Sequence, residues 1–147
     1  MALSGFRSIP LPISQLSLAA VLKCGQSFRW SILTPHSEPD AGPNFVEYRL
    51  CLKDRVVCLR QTPDTLLYRS VFPEPQPPVT DLPERDAETL LWLKDYFQLK
   101  VDLVAFYRQW AGRDKVFASF QERFEGIRML RQDPWENLVS YALSCQA

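Results

Sequence analysis

The sequence has one histidine, His36, and four cysteines, Cys24, Cys51, Cys58 and Cys145, none of them in a Cys-x-x-Cys pair. That argues against a zinc or iron–sulfur site, and neither a metal nor another cofactor is expected. The cysteines read as reduced thiols of an intracellular protein. No apolar run reaches the roughly 20 residues of a membrane-spanning helix, so no membrane partner is expected. Leu16 to Leu22 is too short and poorly flanked for a secretory signal. Net charge is missing as well, because 17 Lys and Arg balance 17 Asp and Glu. Proteins whose main task is electrostatic capture of nucleic acid are usually basic, which argues against that task here; a contributing part of a larger DNA-binding protein stays open.

What is present is an ordinary globular composition, with 46% hydrophobic and 23% charged residues over 147 positions. That length suits one domain, or one domain and part of a second. Residues 1–13 read as an extended lead-in. Residues 14–22 read as a short segment capped by Ser14 or Ser17, with Leu18, Val21 and Leu22 inward. A half-buried strand is expected from Gly25, where Phe28, Trp30 and Ile32 alternate with Ser27, Arg29 and Ser31. The Pro-rich stretch from Pro35 to Asn44, which holds His36, reads as a loop. Residues 45–52, 56–60 and 66–72 then alternate in period two and are joined by short turns, which implies an antiparallel meander. Pro73 to Pro83 is too rich in proline for either regular element.

Beyond it the period lengthens to that of a helix. Residues 86–99 place Leu90, Leu93 and Phe97 on one face. Asp102 caps a second helix with Leu103, Phe106, Tyr107 and Trp110 as a buried stripe, ended by Gly112. Asp114 caps a third with Val116, Phe117, Phe120 and Phe124 inward, ended by Gly126. Asp133-Pro134-Trp135-Glu136 is the strongest helix start in the chain, with an Asp cap, Pro at the first helical position and Glu at the third. Strands followed by helices indicate an α+β fold.

The string Gly25-Gln26-Ser27-Phe28-Arg29-Trp30 resembles the signature in the N-terminal domain of eukaryotic 8-oxoguanine DNA glycosylases. Ser8-Ile9-Pro10, Tyr96 to Leu99, Phe106 to Trp110 and Gly126 to Pro134 resemble the same family in the same order, from about residue 8 to residue 141. The resemblance implies a twisted antiparallel sheet of the TATA-binding-protein kind backed by helices. It divides the chain into an N-terminal α+β domain over residues 1–125 and the truncated start of a helical glycosylase domain over residues 126–147. It implies a monomer that acts in base-excision repair on double-stranded DNA containing 8-oxoguanine, in the nucleus with the mitochondrion as the alternative, without a cofactor.

The family also suggests roles for single residues. Oxidation turns N7 of guanine from an acceptor into an N–H donor, so a carbonyl aimed at N7 attracts the lesion and opposes the normal base. The resemblance gives that role to Gly25, where no side chain intervenes; the plainer reading is a turn glycine. Gln26, Arg29, Arg128 and Arg131 are candidates for base-pocket or DNA contacts, and solvated surface arginines are the alternative. The family's catalytic lysine and aspartate lie in and just after a helix-hairpin-helix, which the sequence does not contain. None of its lysines, Lys23, Lys53, Lys94, Lys100 or Lys115, matches that motif, so no catalytic residue is assigned. The family's asparagine run is also missing after Ser144, and Gln146 inherits no role from it. The competing expectation is a non-catalytic module that binds damaged DNA or a protein partner.

Overall fold

The computed structural model describes residues 5–34, 46–75 and 77–144. The His36 loop, Cys145 and Gln146 lie outside the described residues. Among those described, five strands form one antiparallel sheet in the order β1-β5-β4-β3-β2. They are β1 (Arg7–Pro10), β2 (Ser31–Leu33), β3 (Glu47–Leu52), β4 (Arg55–Gln61) and β5 (Thr65–Val71). The last four are a meander, and β1 returns along the far side of β5. A two-residue turn, Lys53-Asp54, joins β3 to β4, and Lys53 takes the left-handed φ of +46° that such a turn requires.

Side-chain alternation assigns the two faces. Tyr48 and Leu50 of β3, Val57 and Leu59 of β4, and Leu66 and Tyr68 of β5 point inward and are all buried. Against them pack α1 (Leu18–Val21) and α2 (Leu82–Tyr96), which supply Leu18, Val21, Leu93 and Tyr96; Phe97, just past α2, joins them. Ser17 caps α1, its hydroxyl accepting from the Ala20 N–H. Polar fasteners hold the sheet to α2. Ser70 hydrogen-bonds Thr89 at 2.8 Å, and Arg55 donates to the Arg85 carbonyl, Thr89 and Glu88. Arg7 pairs with the buried Asp86 at 2.7 Å.

The opposite face carries an ion cluster. Glu47 is only 4% exposed. It accepts from Arg49 at 2.5 Å, Arg60 at 2.8 Å and Arg69 at 3.2 Å. The Phe6 ring lies 4.6 Å and 4.7 Å from the guanidinium carbons of Arg60 and Arg69. Burial pulls the Glu47 carboxyl upward, but the Arg49 hydrogen bond, the Arg69 charge and the Arg60 hydrogen bond outweigh it and hold the pKa below its ordinary 4.5. A depressed carboxylate pKa adds stability that is complete above the unfolded value and is lost as pH falls through the folded one. Glu47→Gln is therefore expected to cost about 3 kcal/mol near neutral pH, because three guanidinium groups lose their counter-charge. In denaturant unfolding the gap between variant and parent should shrink as the solution is acidified below about pH 4. A gap constant over that range would show that the carboxylate charge is not what stabilises the cluster.

Three expectations are corrected. The strand predicted from Gly25 begins only at Ser31: residues 24–30 form a loop, and Phe28 is 76% exposed rather than inward. Of the three residues expected inward, Phe28, Trp30 and Ile32, only Trp30 is buried, donating to the Tyr96 hydroxyl at 3.1 Å. The helix predicted from Asp86 starts at Leu82 instead, because Pro83 falls in its first turn, where proline has no hydrogen bond to lose. The aromatic stripes are not core. They lie on α3 (Leu103–Ala111), α4 (Lys115–Phe120) and the 3-10 turn Gln121–Phe124. Phe106, Trp110, Phe120 and Phe124 are 38–51% exposed and contact one another and Phe117 in a ladder. Helical periodicity shows which residues share a face, and here that face is not covered by the sheet. The caps hold as expected: Asp102 accepts from Ala105 N–H, and Asp114 from the N–H groups of Val116 and Phe117.

Candidate functional site

The signature loop follows α1. Gly25 lies in its first bend, is exposed and has a φ of +82°. A Cβ built there meets no atom within 4 Å, so backbone conformation and not crowding calls for glycine. The next residues are anchored. The Gln26 side chain donates to the Arg128 carbonyl at 2.8 Å and accepts from the Leu130 N–H at 3.0 Å, as a strand neighbour would. The Gln26 carbonyl accepts from the Gln132 side chain. Ser27 is buried, and Arg29 pairs with Glu136 at 2.7 Å and donates to the Cys51 carbonyl.

The partner of this loop is an irregular strap, residues 125–132, which leads into α5 (Pro134–Ser144). Side chains, glutamines above all, and backbone groups of other segments share in satisfying its backbone. Besides the two Gln26 bonds, the Gln98 amide donates to the Met129 carbonyl at 2.9 Å, and the Arg131 N–H donates to the Tyr96 carbonyl at 2.8 Å. Gly126, with a φ of +74°, accepts from the Ser17 N–H at the cap of α1. Arg128 is 5% exposed. Its guanidinium donates to the Gln15 main-chain carbonyl, the Gln15 side chain at 2.8 Å, and the carbonyls of Gln98 at 2.9 Å and Val101 at 2.8 Å. Burial lowers its pKa, and the nearby Asp102 charge partly offsets this.

The sequence candidates therefore fall into different surroundings. Gly25 stands open at the surface. Gln26 and Arg128 are engaged inside the molecule, tying the loop and the strap to the rest of the fold. Arg29 and Arg131 are more exposed; Arg131 pairs with Asp95 at 3.2 Å, a surface pair that adds little stability. Arg29, Ser27, Lys53, Trp92, Arg131 and Asp133 line a cleft of about 540 Å³ between the end of the sheet, α2 and the start of α5. Asp133 caps α5 by accepting from the Glu136 N–H at 2.9 Å. Gln15 had no signal in the sequence, and Gln98 stood only inside the Tyr96 to Leu99 motif, with no role attached to it. Gln98 holds a left-handed φ of +50° just past α2, a place where glycine is the usual occupant.

All five lysines are exposed, and among the described residues no three His, Cys, Asp or Glu side chains gather as a metal site. No described helix is long and apolar enough to cross a membrane. α5 lies open, with Trp135 72% exposed beside Leu138 and Tyr141. Limited proteolysis is expected to cut within α5 and to leave the strap intact, because the strap's backbone is bonded at several points. Cleavage between residues 126 and 132 ahead of α5 would contradict that.

Known proteins share this arrangement. The 8-oxoguanine DNA glycosylase N-terminal domain family matches residues 8–138. The N-glycosylase/DNA lyase of Saccharomyces cerevisiae is 34% identical over 140 residues, covering 95% of the chain and 34% of that protein. The Arabidopsis thaliana N-glycosylase/DNA lyase OGG1 is 26% identical over 137 residues, covering 92% of the chain and 32% of that protein. The chain thus spans about a third of the length of these curated relatives. Among solved structures, MBOgg1 in complex with a low-affinity DNA ligand superposes with a TM-score of 0.64 at 26% identity, covering 98% of the chain and 41% of that structure. The Clostridium acetobutylicum 8-oxoguanine glycosylase/lyase in complex with double-stranded DNA shares the fold, with a TM-score of 0.64 at 20% identity, covering 100% of the chain and 44% of that structure. With the signature loop, the strap and the α+β sheet body all in place, the chain belongs to the 8-oxoguanine DNA glycosylase N-terminal domain family.

Proposed function

We propose that the chain is the base-recognition part of a DNA glycosylase/AP lyase that excises 8-oxoguanine from double-stranded DNA in base-excision repair. In this reading residues 1–125 are the α+β domain, and residues 126–147 begin the helical domain that carries the chemistry. The observation that supports it best is Gly25: a left-handed, open residue on a loop whose next residue is bonded to the strap. A flipped base could approach its carbonyl without meeting a side chain. That carbonyl would accept from the N7–H of 8-oxoguanine and would face a lone pair on guanine, a difference of roughly 1–3 kcal/mol. Arg29 and Arg131, at the rim of the cleft, are the proposed phosphate-side contacts. The protein would act as a monomer on chromosomal DNA in the nucleus, with mitochondrial DNA a second substrate.

The test joins residues 1–144 to the remaining two thirds or so of the yeast relative. Such a hybrid is expected to excise 8-oxoguanine, and Gly25→Ala should reduce its preference over guanine about tenfold. Full preference in that variant would remove Gly25 from the reading. The unjoined chain, whose lysines are all exposed, should form no borohydride-trapped adduct on an 8-oxoguanine duplex. The exposed aromatic ladder favours a second reading, a protein-interaction module. Duplex binding that weakens steeply with salt supports DNA contact, and no binding at low salt supports the module.

A further inference from the structure

The geometry points to Gln26 as a positioning residue for lesion discrimination, one that aims the Gly25 carbonyl relative to α5. The inference rests on the reading of Gly25 just proposed. The Gly25 carbonyl and the Gln26 nitrogen belong to one planar peptide unit, so whatever fixes Gln26 also fixes where that carbonyl points. Gln26 is held on both sides of its α-carbon. Its side chain bonds Arg128 and Leu130, and its own carbonyl accepts from Gln132. Gly25 lacks comparable crowding of its own, since nothing lies within 4 Å of its missing Cβ. The orientation of an exposed, conformationally permissive residue is thus set by its neighbour.

The same bonds connect the loop to the helix that follows. Arg128 and Leu130 lie in the strap that runs into α5 within a few residues, and Gln132 directly precedes the Asp133 cap. One side chain therefore relates the acceptor that would read the base to the helix that opens the domain carrying the chemistry. A glutamine is needed because a donor and an acceptor must act together at strand spacing. Glutamate lacks the donor when ionised, asparagine is one methylene shorter, and methionine matches the length but makes neither bond.

The first test uses the whole chain and Gln26→Met. In the parent, the Leu130 amide should be protected from hydrogen exchange. In the variant its exchange should quicken about tenfold and the Gly25 carbonyl carbon resonance should move, while the Ser17 and Arg131 amides keep their protection because Gly126 and Tyr96 hold them. An unmoved Gly25 resonance would overturn the proposal. The second test uses the hybrid with yeast sequence. Gln26→Met should slow 8-oxoguanine excision at least tenfold while strand cleavage at a preformed abasic site, which has no base to recognise, stays within about twofold. Equal losses in both reactions would assign Gln26 to folding alone. Should the parent hybrid cut abasic sites yet show no preference for 8-oxoguanine, the Gly25 reading fails instead, whatever Gln26 does to its resonance.

Discussion

Gly126→Ala is expected to destabilise the protein by roughly 4 kcal/mol, the sum of a strained left-handed backbone and a forced clash. With φ at +74°, an L residue already sits in an unfavourable region. The added methyl would lie 2.1 Å from the Ile13 carbonyl oxygen and 2.6 Å from the Ser17 nitrogen. Both are backbone atoms, so no side-chain rotation relieves the contact. Relief requires moving the strap away from α1, which breaks the bond from the Ser17 N–H to the Gly126 carbonyl at the helix cap. Gly25→Ala is the control. It shares the left-handed φ but meets no atom within 4 Å, so it should cost only about 1 kcal/mol. Denaturant midpoints for the two variants separate conformation from crowding, and equal losses would show that the Gly126 contact relaxes cheaply.

Arg128→Met should cost about 4 kcal/mol as well, by a different route: four oxygens lose a charged donor inside the fold. The guanidinium joins the Gln15 turn, the residues after α2 and the strap, and its planar fork reaches acceptors in several directions at once. Arg128→Lys keeps the charge but replaces the fork with a single ammonium, so it should recover less than half of the loss. This outcome also separates burial from DNA contact. A phosphate-binding arginine would leave the unfolding midpoint unchanged on mutation and lower the salt dependence of duplex binding. The arrangement observed here predicts the reverse in the isolated chain.

Much of the architecture was legible because it depends on local rules. The period-two segments became β3, β4 and β5, and the caps at Ser17, Asp102, Asp114 and Asp133 lie where side-chain chemistry placed them. What could not be read are effects of distant chain. Phe28 alternates with Trp30 like a strand, but the pull of Gln26 and Arg29 toward residues far along the sequence bends that stretch into a loop. Phe106 and Trp110 have core-like spacing, yet spacing says nothing about whether a partner surface is there. In the site, the glycine was marked by its motif. The roles of Gln15, Gln26 and Gln98 became visible only once residues about 30 to 113 positions apart were brought together.

The division between a packed sheet body and open helices also gives the chain two optical populations. Trp30 is buried and donates to Tyr96, and Trp92 stacks on the same ring at 4.7 Å. Trp110 and Trp135 lie on the open helices, 43% and 72% exposed. Aqueous quenchers should therefore extinguish the red-shifted half of the native emission first, leaving a bluer spectrum from the sheet body. Anything that covers the helices, whether a further domain, a second protein or DNA, would shield that half selectively, so the unlabelled chain reports on its own contacts.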